Sequence, residues 1–205
     1  MVLIVGLILS YLIGAIPTAF LFGHMLKGID IRQYGSGNVG ATNVFRVLGK
    51  GPGILVLLFD IFKGVLVVAV IADILGLVML WERILMSIMV VIGHNYTVFL
   101  KFKGGKGVAT SLGVLIGLTL KIAAIRPVLM LTLAVFIVLF LATRIVSISS
   151  IITAISLPIF MLATNQPFEI IFLGVIFCVF VVFRHKQNIR RLLAGQEPKV
   201  NLFKK

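Results

Sequence analysis

The sequence predicts an all-α integral membrane protein, a seven-span helical bundle with its N-terminus outside and its C-terminus cytoplasmic. Three observations carry that expectation. Hydrophobic residues make up 60% of the 205-residue chain and charged residues 12%, against about 25% charged in a soluble domain, and the mean hydropathy is +1.21. Most of the outer surface must therefore face lipid. Apolar runs of about 20 residues, the length that crosses a bilayer core, recur along the whole chain. Finally, 19 Lys and Arg against 6 Asp and Glu leave a formal charge of +13, and these charges fall unevenly between the runs.

The runs occupy 2–26, 53–75, 84–100, 107–125, 127–143, 146–164 and 168–183, and are expected to form one polytopic domain over 1–205. The first begins at Val2 with no basic region before it and continues far past the length of a cleavable signal core, so it reads as a permanent span. Gly76, Trp81 and Glu82 mark the turn between the second and third runs. Arg126-Pro127 separates the fourth from the fifth, and Asn165-Gln166-Pro167 the sixth from the seventh. The fourth run is the least apolar, being Gly-rich with Thr110, Ser111, Thr119 and a terminal Lys121.

Seven crossings put segments 27–51, 101–106, 144–147 and 184–205 on one side. All Lys and Arg then share that side except Arg83, Lys121 and Arg126 opposite, and Lys63 within a span. Positive charge in short loops marks the cytoplasmic face. A basic face on an apolar body suits anionic ligands or anionic lipid; no soluble domain is left to present the charge to nucleic acid. The single cysteine, Cys178, lies in the apolar run FLGVIFCVFVVF, which excludes an internal disulfide or a cysteine metal site and makes it a small hydrophobe.

Three polar segments on the basic face are expected to converge on one pocket. The first, Asp30 to Arg46, concentrates Gly35, Ser36, Gly37, Asn38, Gly40, Thr42, Asn43 and Arg46. Its glycines match GxGxxG, with Asp60 following, but a dinucleotide fingerprint needs strands on either side, and here membrane helices flank it. The underlying physics survives: glycines let backbone N–H groups approach a phosphate, and a helix starting near Gly40 aims its positive end there. Ser36, Asn38, Thr42 and Asn43 add neutral hydrogen bonds, and Arg46 offers a planar fork.

The second segment, His94 to Gly107, contains Lys103-Gly104-Gly105-Lys106-Gly107. Leu100 and the absence of Ser or Thr after Lys106 exclude a Walker A loop. As a turn opening a helix, it would place Lys106 beside exposed N–H groups as a second anion clamp. The third, Arg184 to Glu197, sets His185, Asn188 and Arg191 at helical spacing near one face. Ser147, Ser149 and Ser150 open the sixth span on the same side, where their hydroxyls either back-bond the helix or complete a phosphate pocket. Asp60 and Lys63, three apart within a span, are candidates for an interior charge pair. His24 reads as structural.

Ser36-Gly-Asn-x-Gly-Ala-Thr-Asn-x-x-Arg46, Gly93-His94 leading to Phe102-x-Gly-Gly-Lys-Gly107, and His185-x-x-Asn-Ile-x-Arg-Leu-x-x-Gly-x-Glu197 resemble the three motifs of the bacterial acyl-phosphate:glycerol-3-phosphate acyltransferases. Asp60-x-x-Lys-Gly64 and Ser147 to Ser150 look like that family's as well, and the resemblance spans the whole chain. Thr97 stands where the family pattern has proline, which bears on the turn before Phe99. The resemblance implies a multi-pass enzyme of the bacterial inner membrane, with its active site at the cytoplasmic face. It would move a fatty acyl group from acyl-phosphate to the 1-hydroxyl of glycerol 3-phosphate, giving 1-acylglycerol 3-phosphate and phosphate. It implies no cofactor, metal or obligate protein partner beyond membrane lipid.

Two phosphorylated substrates suit two anion clamps. The His-x4-Asp motif of soluble-donor glycerolipid acyltransferases is missing, since Asp30 follows His24 at one residue too many. Under this reading Ser36, Arg46 and the backbone around Gly37 hold one phosphate, with Asn38, Thr42, Asn43, Gly104, Gly105, Ser147, Ser150 and Arg191 as further phosphate contacts. Lys106, His185 and Asn188 are the catalytic candidates, holding the other phosphate and the attacking glycerol. Either His185 or a substrate phosphate takes the hydroxyl proton, and the second is preferred. The competing class is a transporter or channel for phosphorylated metabolites. It would need polar residues continuing across the spans, and the outer halves of the last three nearly lack them.

Overall fold

Pro17 breaks the first apolar run. Lacking an N–H and crowding the preceding turn, it breaks the helix here: α1 (Val2–Ala15) ends and α2 (Thr18–Lys27) restarts the same span. The computed structural model describes residues 1–200, so the end of the basic 184–205 segment lies outside the described residues. Every regular element among them is helical.

After α2 closes on Gly28 in the left-handed region, a 3-10 turn (Ile31–Gln33) and a two-turn helix, α3 (Ala41–Val47), occupy the first polar segment. Helix α4 (Lys50–Val65) runs through a π-helical stretch, Leu66–Ile71, into α5 (Ala72–Ile74). Helix α6 (Leu80–Asn95), a 3-10 turn (Val98–Leu100) and α7 (Val108–Lys121) follow. These elements form one compact unit, Met1–Lys121. A second begins at Ile122 and holds α8 (Arg126–Thr143), α9 (Val146–Ala163), α10 (Phe168–Arg184) and α11 (Lys186–Leu193).

Among the described residues, five helical segments have the length and apolarity to cross a membrane: Val2–Lys27, Lys50–Ile74, Leu80–Leu100, Ala123–Thr143 and Val146–Ala163. Phe168–Arg184 and Lys186–Leu193, bent by 59°, make a sixth if taken together. The fourth run is shorter as a helix than its composition suggests. Its 14 residues rise about 21 Å at 1.5 Å each, against a hydrocarbon core of about 30 Å. Ile122 is extended and residues 123–125 form a 3-10 turn leading into α8.

Small residues let the helices of the first unit approach closely, as lipid-embedded packing requires. Gly14 lies against the Val90 backbone and Gly93 against the Tyr11 carbonyl, leaving no room for a Cβ between α1 and α6. Gly64 and Gly113 do the same for α4 and α7. The Tyr11 hydroxyl donates to the Tyr96 carbonyl at 2.8 Å. At one end of this unit the buried Arg83 donates to the Val68 carbonyl at 2.5 Å, within the π-helical stretch, and Asp73 pairs with both Arg83 and Lys121. A separate apolar cluster of Ala19, Ile31, Val39, Val44, Val56 and Leu100 seats the 28–49 segment.

The second unit is a run of long helices with short connections. Met161 fills the gap left by Gly174, and the Gln166 side-chain amide donates to the Ala124 carbonyl at 2.9 Å.

Candidate active site

In the first polar segment Gly35 and Gly37 adopt positive φ, 61° and 70°, which turns the loop back on itself at little steric cost. Asn43, fully buried at the start of α3, braces that turn. Its carbonyl oxygen accepts from the Ser36 N–H at 2.8 Å, and its amide nitrogen donates to the Ile31 and Tyr34 carbonyls at 3.1 and 3.0 Å. The amide expected to meet phosphate is thus engaged inside the loop, and the residue it fixes, Ser36, is exposed. Arg46 is also exposed, in the last turn of α3, while Gly37, Asn38 and Thr42 are half-buried.

The loop has a further anchor. Asp30 caps the 3-10 turn and holds Arg32 through both carboxylate oxygens. The Arg32 hydrogen bonds keep the Asp30 carboxyl below the ordinary carboxylate range despite some desolvation.

The second polar segment folds onto the end of α6. Gly104 N–H donates to the Asn95 carbonyl at 3.1 Å and Gly105 N–H to the His94 carbonyl at 3.0 Å. The His94 imidazole and the Val39 carbonyl both crowd one face of Gly105, leaving no room for a Cβ. Lys106 follows, half-buried, two residues before α7. The first and second polar segments therefore meet. A small cleft opens where they do, at the break in the first helix, lined by Ala15, Ile16, Pro17, Thr18, Val39, His94, Thr97, Gly104 and Gly105.

Beneath the cleft lies a buried polar cluster. Lys63 Nζ is 2.7 Å from Asp60 Oδ1, and the Thr18 hydroxyl donates to the same oxygen at 2.6 Å. Lys63 also donates to the Ile16 carbonyl at 2.9 Å and reaches Gly14 at 3.4 Å. The Thr97 hydroxyl donates to the Ala15 carbonyl at 2.6 Å. Side chains thus donate to the Gly14, Ala15 and Ile16 carbonyls at the helix break, as apolar surroundings demand.

In the second unit the third polar segment gathers around Glu197. Asn188 donates to Glu197 Oε1 at 2.5 Å and Ser147 to the same oxygen at 2.8 Å, while Arg191 Nε donates to Oε2 at 2.7 Å. Burial pushes the Glu197 carboxyl up, but these three hydrogen bonds and the Arg191 charge outweigh it, so it titrates below its ordinary range. His185 sits buried at the bend between α10 and α11, its Nδ1 2.7 Å from the Val181 carbonyl. A carbonyl only accepts, so Nδ1 carries the proton and the neutral ring has its lone pair on Nε2. Ser150 is buried in α9, and Ser149 back-bonds the Ile145 carbonyl at 3.0 Å.

Four residues of these two polar clusters were assigned no role from the sequence: Thr18, His94 and Thr97 in the first unit and Glu197 in the second. His94 carried a signal, being an ionisable group within an apolar run. Glu197 closed the third motif without a visible partner. Chemically, the first unit offers exposed donors on a braced glycine loop beside a lysine at a helix start, residue types suited to holding phosphate; the second unit, by itself, offers a histidine in a fixed tautomer.

Residues 4–195 match the family described as Glycerol-3-phosphate acyltransferase. A glycerol-3-phosphate acyltransferase of Trichormus variabilis is 42% identical over 208 residues, covering 94% of this chain and 89% of that protein. One from Synechocystis is 45% identical over 203 residues, covering 95% and 89%. Two crystal structures of PlsY (YgiH), an integral membrane glycerol 3-phosphate acyltransferase, are each 36% identical. The glycerol 3-phosphate form has a TM-score of 0.85, covering 98% of this chain and 99% of that one. The lysophosphatidic acid form has a TM-score of 0.84, covering 97% and 95%. The chain belongs to the glycerol-3-phosphate acyltransferase family and is an integral membrane acyltransferase.

Proposed function

We propose that this protein transfers a fatty acyl group from acyl-phosphate to the 1-hydroxyl of glycerol 3-phosphate, releasing phosphate and 1-acylglycerol 3-phosphate. The observation that supports the reading is the meeting of the first segment with the Gly104–Gly105 turn beside one cleft, the two loops whose residue types suit anions. The solved relatives in glycerol 3-phosphate and lysophosphatidic acid forms support the acceptor and the product. The chain would cross the bacterial inner membrane seven times, N-terminus outside, with this chemistry at the cytoplasmic face.

Acyl-phosphate is a mixed anhydride with a good leaving group. The glycerol hydroxyl oxygen attacks the acyl carbon, the bond from that carbon to the phosphate oxygen breaks, and phosphate departs with the electron pair. The hydroxyl proton passes to a substrate phosphate oxygen, and His185 orients the acceptor without taking that proton. Asn188 and Lys106 hold the acceptor, while Ser36, the Gly37 backbone and Arg46 hold the donor phosphate. Placement of two anions and stabilisation of developing charge then supply the rate. Asn43 acts here by presenting Ser36, and Glu197 by setting Asn188 and Arg191.

Phosphate release tests this. Purified protein given acyl-phosphate and glycerol 3-phosphate should release one phosphate per acylated glycerol, and negligible phosphate without the acceptor. Acylation without phosphate release would overturn the donor.

A further inference from the structure

The Asp60–Lys63–His94 group takes no part in the transfer derived above, yet all three side chains are buried, at 2%, 4% and 8% exposure. A buried ion pair is a poor way to gain stability alone, because desolvation offsets most of its attraction, so its placement calls for another account. That placement is continuous. Lys63 Nζ lies 3.4 Å from His94 Nδ1, and Asp60 Oδ1 lies 3.7 Å from the same nitrogen. The opposite edge of the ring, at Nε2, lies against Gly105, and the Val39 carbonyl closes on the same face of that glycine. The backbone of the same residue accepts the Gly105 N–H, and its neighbour Asn95 accepts that of Gly104. A chain of contacts thus leads from the ion pair through the imidazole to the seam between the two polar segments, one residue short of Lys106.

We propose that His94, held on its Nδ1 side by Lys63 and Asp60, is a positioning residue that sets the Gly104–Gly105 turn and so the affinity for glycerol 3-phosphate. This rests on the reading above that Lys106 holds the acceptor. Acting through the turn, His94 makes no contact in the reaction itself. Its loss should therefore move binding of one substrate and leave turnover nearly intact.

The test is His94→Asn and His94→Gln in detergent-purified full-length protein, with melting temperature, kcat, both KM values and calorimetric Kd for glycerol 3-phosphate. Asn keeps an amide near Nδ1 but withdraws the edge at Gly105; Gln reaches as far as Nε2. His94→Asn should raise KM and Kd for glycerol 3-phosphate about tenfold, within the range a displaced positioning group costs. Its kcat should stay within about threefold and its KM for acyl-phosphate within about twofold. His94→Gln should recover part of the affinity. If His94→Asn does not fold, His94→Gln carries the test, with a selective rise in KM of about threefold. Unchanged constants in a folded variant, or a fall in kcat in step with a lowered melting temperature, would overturn the proposal. Wild-type protein that forms no product in the same assay marks failure of the proposed reaction instead.

Discussion

Lys63 Nζ donates to the Ile16 carbonyl at 2.9 Å, so a buried ammonium bridges the gap that Pro17 opens in the first membrane helix. The same ammonium pairs with Asp60, which links helix α4 to the break between α1 and α2. Removing either partner leaves a lone buried charge, at a cost of about 3–5 kcal/mol. Lys63→Met should accordingly lower the melting temperature sharply. The charge-neutral double variant Asp60→Asn/Lys63→Met should be less destabilised than the single one, in thermal unfolding followed in detergent.

Thr97 holds the neighbouring carbonyl. Its hydroxyl donates to Ala15 across 82 positions of sequence and is 2% exposed. Thr97→Val keeps the shape and removes the donor, which should cost about 1–3 kcal/mol because the Ala15 carbonyl is left unsatisfied. Thr97→Pro restores the residue that the family pattern carries there. The φ of −67° at this position suits a proline ring, and its lower unfolded-state entropy offsets part of the lost bond. Melting of the two variants should therefore rank valine below proline.

Arg46→Lys tests the fork. The exposed guanidinium on α3 offers paired donors to phosphate oxygens that an ammonium lacks. An expected fall of about 100-fold in kcat/KM corresponds to about 2.7 kcal/mol, with an unchanged melting temperature. Near-normal kinetics would remove the bidentate role.

Glu197 should give the second unit a contribution to stability that acid removes. Its carboxyl titrates below the ordinary range because Asn188, Arg191 and Ser147 stabilise the charged form against the burial that opposes it. A carboxylate with a lowered folded pKa contributes stability that is complete above the unfolded value, about 4.3. That contribution is lost as pH falls through the folded value. Melting temperature measured from pH 7 down to about pH 3 should show an acid limb that Glu197→Gln flattens. The same variant should reduce activity at neutral pH by releasing Asn188 and Arg191.

The helices were legible in the sequence because apolar runs of span length leave a chain little choice in lipid. Where backbone geometry departs from regular helix, the cause is tertiary and was hidden. Pro17 was visible, but the first run stayed apolar across it, and the partners that make the break tolerable, Lys63 and Thr97, lie 47 and 82 residues away. The π-helical stretch at Leu66–Ile71 meets Arg83, whose contact with Val68 no local pattern announces. Helix α7 stops at Lys121, whose partner Asp73 lies 48 residues earlier. In the site, residue types pointed to phosphate chemistry but did not separate contact from support. Asn43 offers the same donors and acceptor to an anion or to a loop, and only the fold shows the loop taking them. Glu197 gave no sign of its hub role, since Ser147 is 50 positions away.

The most direct measurement supplies the purified protein with labelled glycerol 3-phosphate and either acyl-phosphate, acyl-CoA or no donor, and follows acylated product. Product formed from acyl-phosphate alone, and largely lost in Arg46→Lys, is the predicted result. Equal product from acyl-CoA, or none from acyl-phosphate, would contradict the account.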